Sequence, residues 1–283
     1  MNTYSLHITK KCNMNCYYCY EKDKISEYSW DDIKKSLDMI ISKDKEFNLE
    51  FLGGEPTLEL ELLKKTIDYL QKQNIKVNQY FLTTNGVLVD DRLIDLLLKN
   101  SNLIWASSLD GTPRMNNLRI CKDGHNSYKY VIDSYNKLKE VINDKQIHIH
   151  MTIHPYNVTQ IVKGVKHLYE LGIRNIHVGI IETTIEISRE FCHEYIRQHL
   201  ILQDMIIENK FVGLNYSPFC QISNIIGKYY IEDDRNSKVL FEKPQVRGEL
   251  ATFDIDVKTS IIKDTIIDLH EIVYMNYQNR LKE

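Results

Sequence analysis

Segments with the two-residue periodicity of β-strands alternate with segments of helical periodicity through residues 4–181 of the chain. The strand-like segments are residues 4–9, 48–51, 79–84, 103–108, 147–153 and 175–181, and the helix-like segments between them are residues 30–43, 58–72, 90–99, 128–142 and 157–171. Such a chain forms a parallel sheet covered by helices, and right-handed crossovers curl the sheet into a partial or full barrel. The sequence therefore predicts an α/β fold.

The regular alternation ends after the sixth strand-like segment. The remaining pattern consists of a helix at residues 188–208, an irregular segment at 215–220, a strand at 251–257 and a last helix at 260–281. We interpret residues 1–185 as the barrel core and residues 186–283 as a mostly helical C-terminal extension that packs on the barrel as a cap.

The composition disfavours several classes of partner. The 283 residues carry 36 basic and 39 acidic side chains, a formal net charge of -3, so no overall field favours nucleic acid or an anionic membrane. No segment approaches the ~18 consecutive apolar residues of a transmembrane helix, and no apolar signal segment precedes the first cysteine. We predict a cytoplasmic protein whose six cysteines stay reduced.

Three cysteines, Cys12, Cys16 and Cys19, follow the first predicted strand with the spacing C-x3-C-x2-C. Thiolates are the ligands of iron-sulfur clusters, and a 4Fe-4S cluster normally takes four of them. Three closely spaced cysteines would leave one iron open to a small molecule that offers an amine and a carboxylate. The alternative is zinc, which requires a tetrahedral ligand set. The best fourth ligand, His7, lies on a strand rather than in a matched C-x2-C or H-x3-H pair.

The cysteine spacing, with Tyr18 directly before the third cysteine, resembles the signature of the radical S-adenosylmethionine (radical SAM) superfamily. Three further motifs occur in the family's order: Phe-Leu-Gly-Gly-Glu-Pro at residues 51–56, Thr-Asn-Gly at 84–86 and Ser-Leu-Asp-Gly at 108–111. The motifs are most similar to the branch that modifies peptides and proteins, which includes sulfatase-maturing enzymes and ribosomal-peptide maturases. The resemblance implies a six-stranded partial (β/α)6 barrel, a 4Fe-4S cluster and S-adenosylmethionine.

The resemblance also implies how the cofactor is bound. In the family the glycine-rich turn contacts the amino group of S-adenosylmethionine, the serine after strand four contacts the cofactor, and an arginine pairs with the methionine carboxylate. Carried over residue by residue, the implied contacts are Tyr18, Gly53, Gly54, Glu55, Asn85, Ser108 and Arg119. Two positions depart from the family pattern. Asn126 replaces a glycine, and Leu52 replaces a glutamine that contacts the cofactor in sulfatase-maturing relatives.

Strand five alternates polar and apolar residues. His150, Thr152 and His154 share one face, and on strand six His177 and Gly179 take the corresponding face. Because helices should cover the isoleucine-rich face, the polar set should point into the barrel lumen and suit a polar substrate. His150, Thr152, His154 and His177 are therefore candidate substrate or catalytic residues. The alternative is that they are hydrogen-bonded core residues.

The other three cysteines, Cys121, Cys192 and Cys220, are scattered along the chain. Relatives with auxiliary clusters carry paired, closely spaced cysteines, so we predict a single-cluster enzyme. Cys220, in a loop-like Pro-Phe-Cys segment, is a candidate to return a hydrogen atom to a substrate radical, as in peptide epimerases that resemble this class. The alternative is a buried apolar role.

Three functional hypotheses follow from the resemblance. The leading one is an oxygen-sensitive radical SAM enzyme that abstracts a hydrogen atom from a peptide or protein residue, with a flavodoxin or ferredoxin as electron donor. The chain starts almost at the first strand, without room for the leader-binding domain of many peptide maturases, so a small-molecule or nucleotide substrate is the second. The third is a non-catalytic iron-sulfur redox protein, which would not need Glu55, Ser108 and Arg119.

Overall fold

The structure, a computed structural model, describes residues 2–181 and 188–216. The strands are β1 (Thr3–Thr9), β2 (Glu46–Gly53), β3 (Lys76–Thr84), β4 (Leu103–Ser108), β5 (Ile147–Ile153), β6 (Asn175–Ile180) and β7 (Asn215–Tyr216). The α-helices are α1 (Trp30–Lys43), α2 (Leu60–Lys72), α3 (Asp91–Lys99), α4 (Tyr128–Leu138), α5 (Ile161–Glu170) and α6 (Arg189–Ile207).

The strands form one parallel sheet whose spatial order is the chain order, β1 to β7. Each of the helices α1 to α5 connects one strand to the next. Within the described residues β1 and β7 lie at opposite ends of the sheet and do not pair with each other. The sheet is therefore an open, partial barrel, and the predicted α/β fold is confirmed.

The seventh strand differs from the sequence prediction. The sequence predicts an irregular segment from residue 215, whereas Asn215 and Tyr216 pair with Asn175 and Ile176 of β6. A strand of two residues is too short to show periodicity, so only its partner identifies it. The strand predicted at 251–257 and the helix predicted at 260–281 lie outside the described residues.

Several strand and helix bounds differ from the prediction by one to four residues. β2 begins at Glu46 and β3 at Lys76, earlier than predicted, and α4 ends at Leu138 rather than at residue 142. Glu46 and Lys76 face each other in the register, and their side chains form an ion pair at 2.7 Å. Such cross-strand pairs extend a sheet without any signal in the periodicity of either strand alone.

Alternating side chains give the sheet two different faces. Leu6, Phe51, Leu82, Trp105 and Ile149 face the helices and belong to one buried apolar cluster. The opposite, concave face is mostly polar, and its members include Thr3, Ser5, His7, Asn48, Glu50, Thr83, Ser108, His148, His150, Thr152 and His177. The two faces predicted for strand five are thus confirmed.

Side-chain caps define where several helices begin. The Ser29 hydroxyl accepts from the Asp32 amide at the start of α1, and the Asp90 carboxylate accepts from the Leu93 amide at the start of α3. Each cap satisfies an amide that has no partner inside the helix. None of the described helices combines the length and the apolar character needed to cross a bilayer.

Candidate active site

The cysteine loop, residues 10–28, joins β1 to α1. It leaves and returns at the carboxyl end of β1, where Thr9 bridges Glu27. Cys12 is buried, Cys16 and Cys19 are half-buried, and none of the three is in a disulfide. The three thiols therefore lie on one loop at the carboxyl edge of the sheet, which is the edge where α/β proteins bind their ligands.

The glycine pair after β2 packs directly beneath the start of the cysteine loop. The Gly54 amide donates to the Thr9 carbonyl at 2.8 Å. A Cβ atom on Gly54 would lie 2.3 Å from the carbonyl oxygens of Lys10 and Lys11, and one on Gly53 would lie 2.2 Å from that of Thr9. This close approach of two backbones requires glycine. The implied contact with the cofactor's amino group stays a prediction.

Glu55 is fully buried and joins the ends of β2 and β3. Its Oε1 accepts from the Thr57 amide and hydroxyl and from the Thr84 hydroxyl, at 3.0, 2.7 and 2.7 Å. Its Oε2 accepts from the Asn85 amide at 2.6 Å. Burial raises the pKa of this carboxyl, and the four donors oppose that shift. The carboxylate thus fixes two turns, and its assignment to the cofactor's ammonium stays a prediction.

Asn85, at the end of β3, contacts the cysteine loop with its side chain. Its Nδ2 donates to Asn13 Oδ1 at 2.7 Å and lies 4.0 Å from the sulfur of Cys12. Its Oδ1 accepts from the Val87 amide at 3.0 Å. Asn85 therefore holds the segment between the first two cysteines.

A second contact to the cysteine loop comes from the chain around Arg119. The Asn15 amide donates to the Ile120 carbonyl at 2.7 Å, and the Tyr17 amide donates to the Leu118 carbonyl at 2.9 Å. Arg119 lies between these two acceptors and is thereby placed across from the second cysteine. The spacing of the motifs does not reveal this long-range pairing.

Asp110, two residues after the end of β4, is completely buried and accepts hydrogen bonds from three parts of the chain. Its Oδ1 accepts from Arg119 Nη2 at 3.0 Å and from the Thr152 amide at 2.8 Å, and its Oδ2 accepts from the Tyr18 hydroxyl at 2.8 Å. Arg119 Nη2 also donates to Thr152 Oγ1 at 2.9 Å. We call Asp110, Arg119, Tyr18 and Thr152 the Asp110 network. It joins the cysteine loop, the turn after β4 and β5.

The sequence identifies three members of this network separately and misses its centre. Tyr18 and Arg119 are implied as cofactor contacts and Thr152 as a substrate residue, whereas Asp110 is visible only as part of a turn motif. A carboxylate that follows a buried strand is the only sequence signal for such a residue. The donors from which the Asp110 carboxylate accepts hydrogen bonds are set by the tertiary structure.

Charges within the network bear on the thiols. Burial alone would lower the pKa of Arg119, but the adjacent Asp110 carboxylate raises it, so the guanidinium stays charged. Burial raises the pKa of the Cys12 thiol to about 11. Burial also raises the pKa of Cys16, and the Arg119 charge opposes that shift. A positive charge thus lies where a thiolate ligand has to be stabilised.

Arg119 has a donor left over. Its Nε is buried and has no hydrogen-bond partner among the described residues. Guanidinium N–H groups pair strongly with carboxylates. The site therefore fits a cofactor that brings a carboxylate next to the cysteine loop.

Asn126, which stands where the family has a glycine, braces the loop that carries Arg119. Its Nδ2 donates to the Pro113 carbonyl and to Asn117 Oδ1, both at 2.9 Å. Its Oδ1 accepts from Asn116 Nδ2 at 2.8 Å, and Asn116 Oδ1 accepts from the Asp110 amide at 3.0 Å. The departure from the family pattern therefore adds side-chain contacts behind the network.

Ser108, His150 and His177 form a row across β4, β5 and β6. The register pairs Ser108 with His150 and His150 with His177, and the two imidazole centres lie 4.9 Å apart. All three residues are half-buried. A Cβ atom on the nearby Gly179 would meet nothing within 4 Å. The structure thus brings three predicted site residues together beside open space on the concave face.

Thr152 and His154 lie against the Asp110 network instead. The Thr152 hydroxyl accepts from Arg119. His154 is only 2% exposed, its ring centre lies 5.9 Å from that of Tyr18, and its Nδ1 accepts from the Tyr156 amide at 3.2 Å. Burial lowers the pKa of this imidazole. His154 therefore has almost no surface that a substrate could touch.

The remaining cysteines have different surroundings. Cys121 forms a small buried cluster with Cys12 and Met14, and Cys16 packs against that cluster. The sequence treats Cys121 as isolated, but a bridge between Met14 and Cys121 brings it to the cysteine loop. Cys192 is half-buried on α6 and packs on the main core. Cys220 lies outside the described residues.

Zinc and an iron-sulfur cluster make different demands on three thiols. Zinc needs its ligands gathered round one point. Residues 2–181 and 188–216 contain no group of three His, Cys, Asp or Glu side chains placed to hold a single metal ion. In a 4Fe-4S cluster each thiolate binds a different iron, so the three sulfurs surround a group larger than one ion. Three free thiols on one loop beside a buried guanidinium are a donor set that fits a cluster.

The profile of the Radical SAM superfamily matches residues 6–161, more than half of the chain. The chain therefore belongs to the radical SAM superfamily. Proteins of this superfamily are enzymes that use a 4Fe-4S cluster and S-adenosylmethionine, and these are the cofactors of this enzyme. The predicted family, enzyme class and cofactors are confirmed.

Several curated proteins resemble the chain over part of its length. An uncharacterised protein of Methanocaldococcus jannaschii is 27% identical over 188 residues, which are 62% of this chain and 62% of that protein. The radical SAM cyclopropyl synthase TigE of Paramaledivibacter caminithermalis is 26% identical, over 63% of this chain and 48% of its own. A probable GTP 3',8-cyclase of Methanococcus maripaludis is 34% identical, over 32% of this chain and 30% of its own. The chain thus spans less than two thirds of these relatives.

Two solved enzymes share the fold. Native anSMEcpe with bound AdoMet and Kp18Cys peptide superposes with a TM-score of 0.65 at 19% identity, covering 77% of this chain and 64% of its own. SuiB of Streptococcus suis superposes with a TM-score of 0.58 at 17% identity, covering 80% of this chain and 51% of its own. At these identities the likeness establishes the partial-barrel fold.

Proposed function

We propose that Cys12, Cys16 and Cys19 hold the 4Fe-4S cluster and that the enzyme abstracts a hydrogen atom from a residue of a peptide or protein bound at the concave face. The observation that best supports this site is the Asp110 network, which fixes a buried guanidinium beside the cysteine loop. When bound, the cluster and S-adenosylmethionine supply a 5'-deoxyadenosyl radical. The chain's own residues bind and orient these groups.

In this proposal Arg119 binds the methionine carboxylate through its buried Nε, which has no hydrogen-bond partner in the described part of the chain. Asp110 keeps the guanidinium charged and in place. Ser108 and Asn85 are further contacts at the same edge, and the backbone at Gly53 and Gly54 accepts from the cofactor's ammonium. Tyr18, fixed by Asp110, forms a wall of the pocket. The carboxylate of S-adenosylmethionine would then bind a guanidinium, and its ammonium would bind backbone acceptors.

The concave face beside this edge is the proposed substrate site. Ser108, His150 and His177 present a hydroxyl and two imidazoles there, and such groups bind polar ligands such as a peptide backbone. Two proteins with the same fold support a peptide substrate, because anSMEcpe was determined with the Kp18Cys peptide and SuiB with the precursor peptide SuiA.

A flavodoxin or ferredoxin is the proposed electron donor. Whether Cys220 returns a hydrogen atom stays a prediction.

The relatives named as probable GTP 3',8-cyclases favour a second candidate substrate, a nucleotide. Anaerobic incubation with S-adenosylmethionine, reductant and GTP, followed by mass spectrometry, separates the two. We expect GTP to be recovered unchanged. Conversion of GTP to a product of altered mass would replace the peptide by a nucleotide and leave the cofactor site as proposed.

The cluster assignment is tested by anaerobic reconstitution. We expect about four irons per chain, and 5'-deoxyadenosine after reduction with S-adenosylmethionine present. Cys16→Ala should lose both, whereas Cys192→Ala, which changes a half-buried thiol on α6, should keep both. Cys121→Ala is the sharper control because this thiol packs near Cys12. If its iron content falls as far as that of Cys16→Ala, the three-cysteine assignment is wrong.

A further inference from the structure

We infer that Glu50 and Asn48, on the concave face of β2, bind a cationic group of the substrate, either an ammonium or a guanidinium. The inference rests on the proposed function, because it assumes a substrate at the concave face. The two acceptors themselves are observed on β2. We call Glu50 and Asn48 the β2 acceptor pair.

Glu50 is a buried carboxylate whose hydrogen-bonding capacity is only partly used. It is 7% exposed, its Oε2 accepts from the Ser5 hydroxyl at 2.8 Å, and its Oε1 accepts from the Thr83 hydroxyl at 2.7 Å. A carboxylate has about four acceptor sites, so roughly half remain. Both donors are neutral, and no ion pair to Glu50 occurs in the described part of the chain. Buried carboxylates are normally either paired with a cation or hydrogen-bonded at most of their acceptor sites.

Asn48 adds a second acceptor on the same face. It lies two residues before Glu50 and is 2% exposed, and its Nδ2 donates to the Thr3 hydroxyl at 3.2 Å. Its Oδ1 is buried and has no hydrogen-bond partner among the described residues. A buried acceptor left unpaired costs about 1–3 kcal/mol, which a ligand that donates to it can recover. Residues two apart on a strand share a face, and a guanidinium or an ammonium carries enough N–H donors for both acceptors.

Glu55, which follows β2, is a buried carboxylate to which the chain itself supplies more donors. Glu55 is 0% exposed and accepts four hydrogen bonds from Thr57, Thr84 and Asn85. Glu50 accepts two. The missing donors at Glu50 therefore suggest a ligand rather than a general shortage of partners for buried acids.

The surroundings leave a route to the pair. Thr83, which donates to Glu50 from the neighbouring strand β3, is half-buried, so the face around the carboxylate is not fully closed. Glu50 precedes Gly53 by three residues, so it lies about 10 Å below the edge where the cofactor is proposed to bind. A lysine or arginine side chain of a bound peptide has the length to reach the pair while its backbone stays near that edge.

The test uses reconstituted enzyme with S-adenosylmethionine, unreduced, and two blocked tripeptides, acetyl-Ala-Arg-Ala-amide and acetyl-Ala-citrulline-Ala-amide. These probes differ in the charge of one side chain. We expect the arginine probe to bind at least about tenfold more tightly, the value of one charge-assisted hydrogen bond. Glu50→Gln, which keeps the shape and removes the charge, should abolish this preference. Binding measured by calorimetry or ligand NMR without any preference in the wild-type enzyme would overturn the inference.

Glu46→Gln is the matched control, because Glu46 lies on the same strand but is exposed and paired with Lys76. It should keep the preference for arginine. If Glu50→Gln keeps it as well, the pair is not the site. Should Glu50→Gln fail to fold, as judged by its melting temperature, Asn48→Leu takes its place. That variant removes the second acceptor and should weaken binding of the arginine probe severalfold, and an affinity for this probe equal to that of the wild type would also overturn the inference.

The inference and the proposed function fail in different ways. Wild-type enzyme that forms no 5'-deoxyadenosine after reduction contradicts the proposed function, whatever the probes do. Wild-type enzyme that forms it but binds both tripeptides equally contradicts only the β2 acceptor pair.

Discussion

The two faces of the sheet are built on different principles. On the helix-covered face, Leu6, Phe51 and Trp105 pack in one apolar cluster, and each is stabilised by the apolar area that it removes from water. On the concave face and at its carboxyl edge, polar side chains are held by particular partners, as Asp110 is by Arg119. A substitution on the first face should therefore change mainly stability. One on the second should change a specific contact and, with it, the site.

The largest expected effect is a loss of stability at the carboxyl edge, at Asp110. It tests whether a specific polar contact can matter as much to stability as the apolar face does. Asp110→Asn leaves the charge of Arg119 buried without its partner, and loss of one member of a buried pair costs about 3–5 kcal/mol. Urea denaturation of the apo-protein should show this loss in the free energy of unfolding. Asp123→Asn, at an exposed carboxylate of the same loop region, should change it by less than about 0.5 kcal/mol. Equal values for the two variants would show that the network contributes little.

The helix-covered face should give a slightly smaller loss that spares the site. Leu6 is fully buried on β1, and a buried Leu→Ala change costs about 3 kcal/mol. Leu6→Ala should therefore lower the urea midpoint, while the folded, reconstituted protein keeps its iron and its S-adenosylmethionine cleavage. Leu98→Ala changes a leucine on α3 that is 55% exposed and serves as the control. A Leu6 variant that stays folded but loses iron would contradict the separation of the two faces.

The concave face should also make stability depend on pH. Burial lowers the pKa of His148 to about 4 from its ordinary 6.5. Because the unfolded chain then binds more protons between these values, stability should fall as the pH drops from about 6.5 towards 4, by at most about 1.4 kcal/mol per pH unit. His148→Gln should flatten this part of a urea-midpoint profile. His125→Gln, at an exposed histidine, should leave it unchanged, and an unaltered slope in both would contradict the assignment.

The same contrast explains how much of the fold and site the sequence could predict. Period-two alternation on β5 identifies both faces, because the helix-covered side needs only apolar residues. Gly54 appears as a motif residue, but glycine is required there by a tertiary contact, because a Cβ atom would lie 2.3 Å from two carbonyl oxygens. Asp110 and Cys121 could not be placed, since each is defined by residues about 100 positions away. Periodicity is local, whereas a polar site depends on long-range partners.

The smallest expected effect lies beside the β2 acceptor pair. Ser5→Ala removes one neutral donor from Glu50, and a hydrogen bond of this kind contributes about 1 kcal/mol to the free energy of unfolding. Ser42→Ala, at an exposed hydroxyl that donates to the Met39 carbonyl, is the matched control and should cost less. The Ser5 variant also frees an acceptor site on Glu50, so its preference for the arginine tripeptide over the citrulline tripeptide should persist or increase. If the Ser5 variant loses the preference while Glu46→Gln retains it, Ser5 rather than Glu50 is the group that recognises the cation. Hydroxyl groups, rather than the carboxylate, would then bind the ligand at this face.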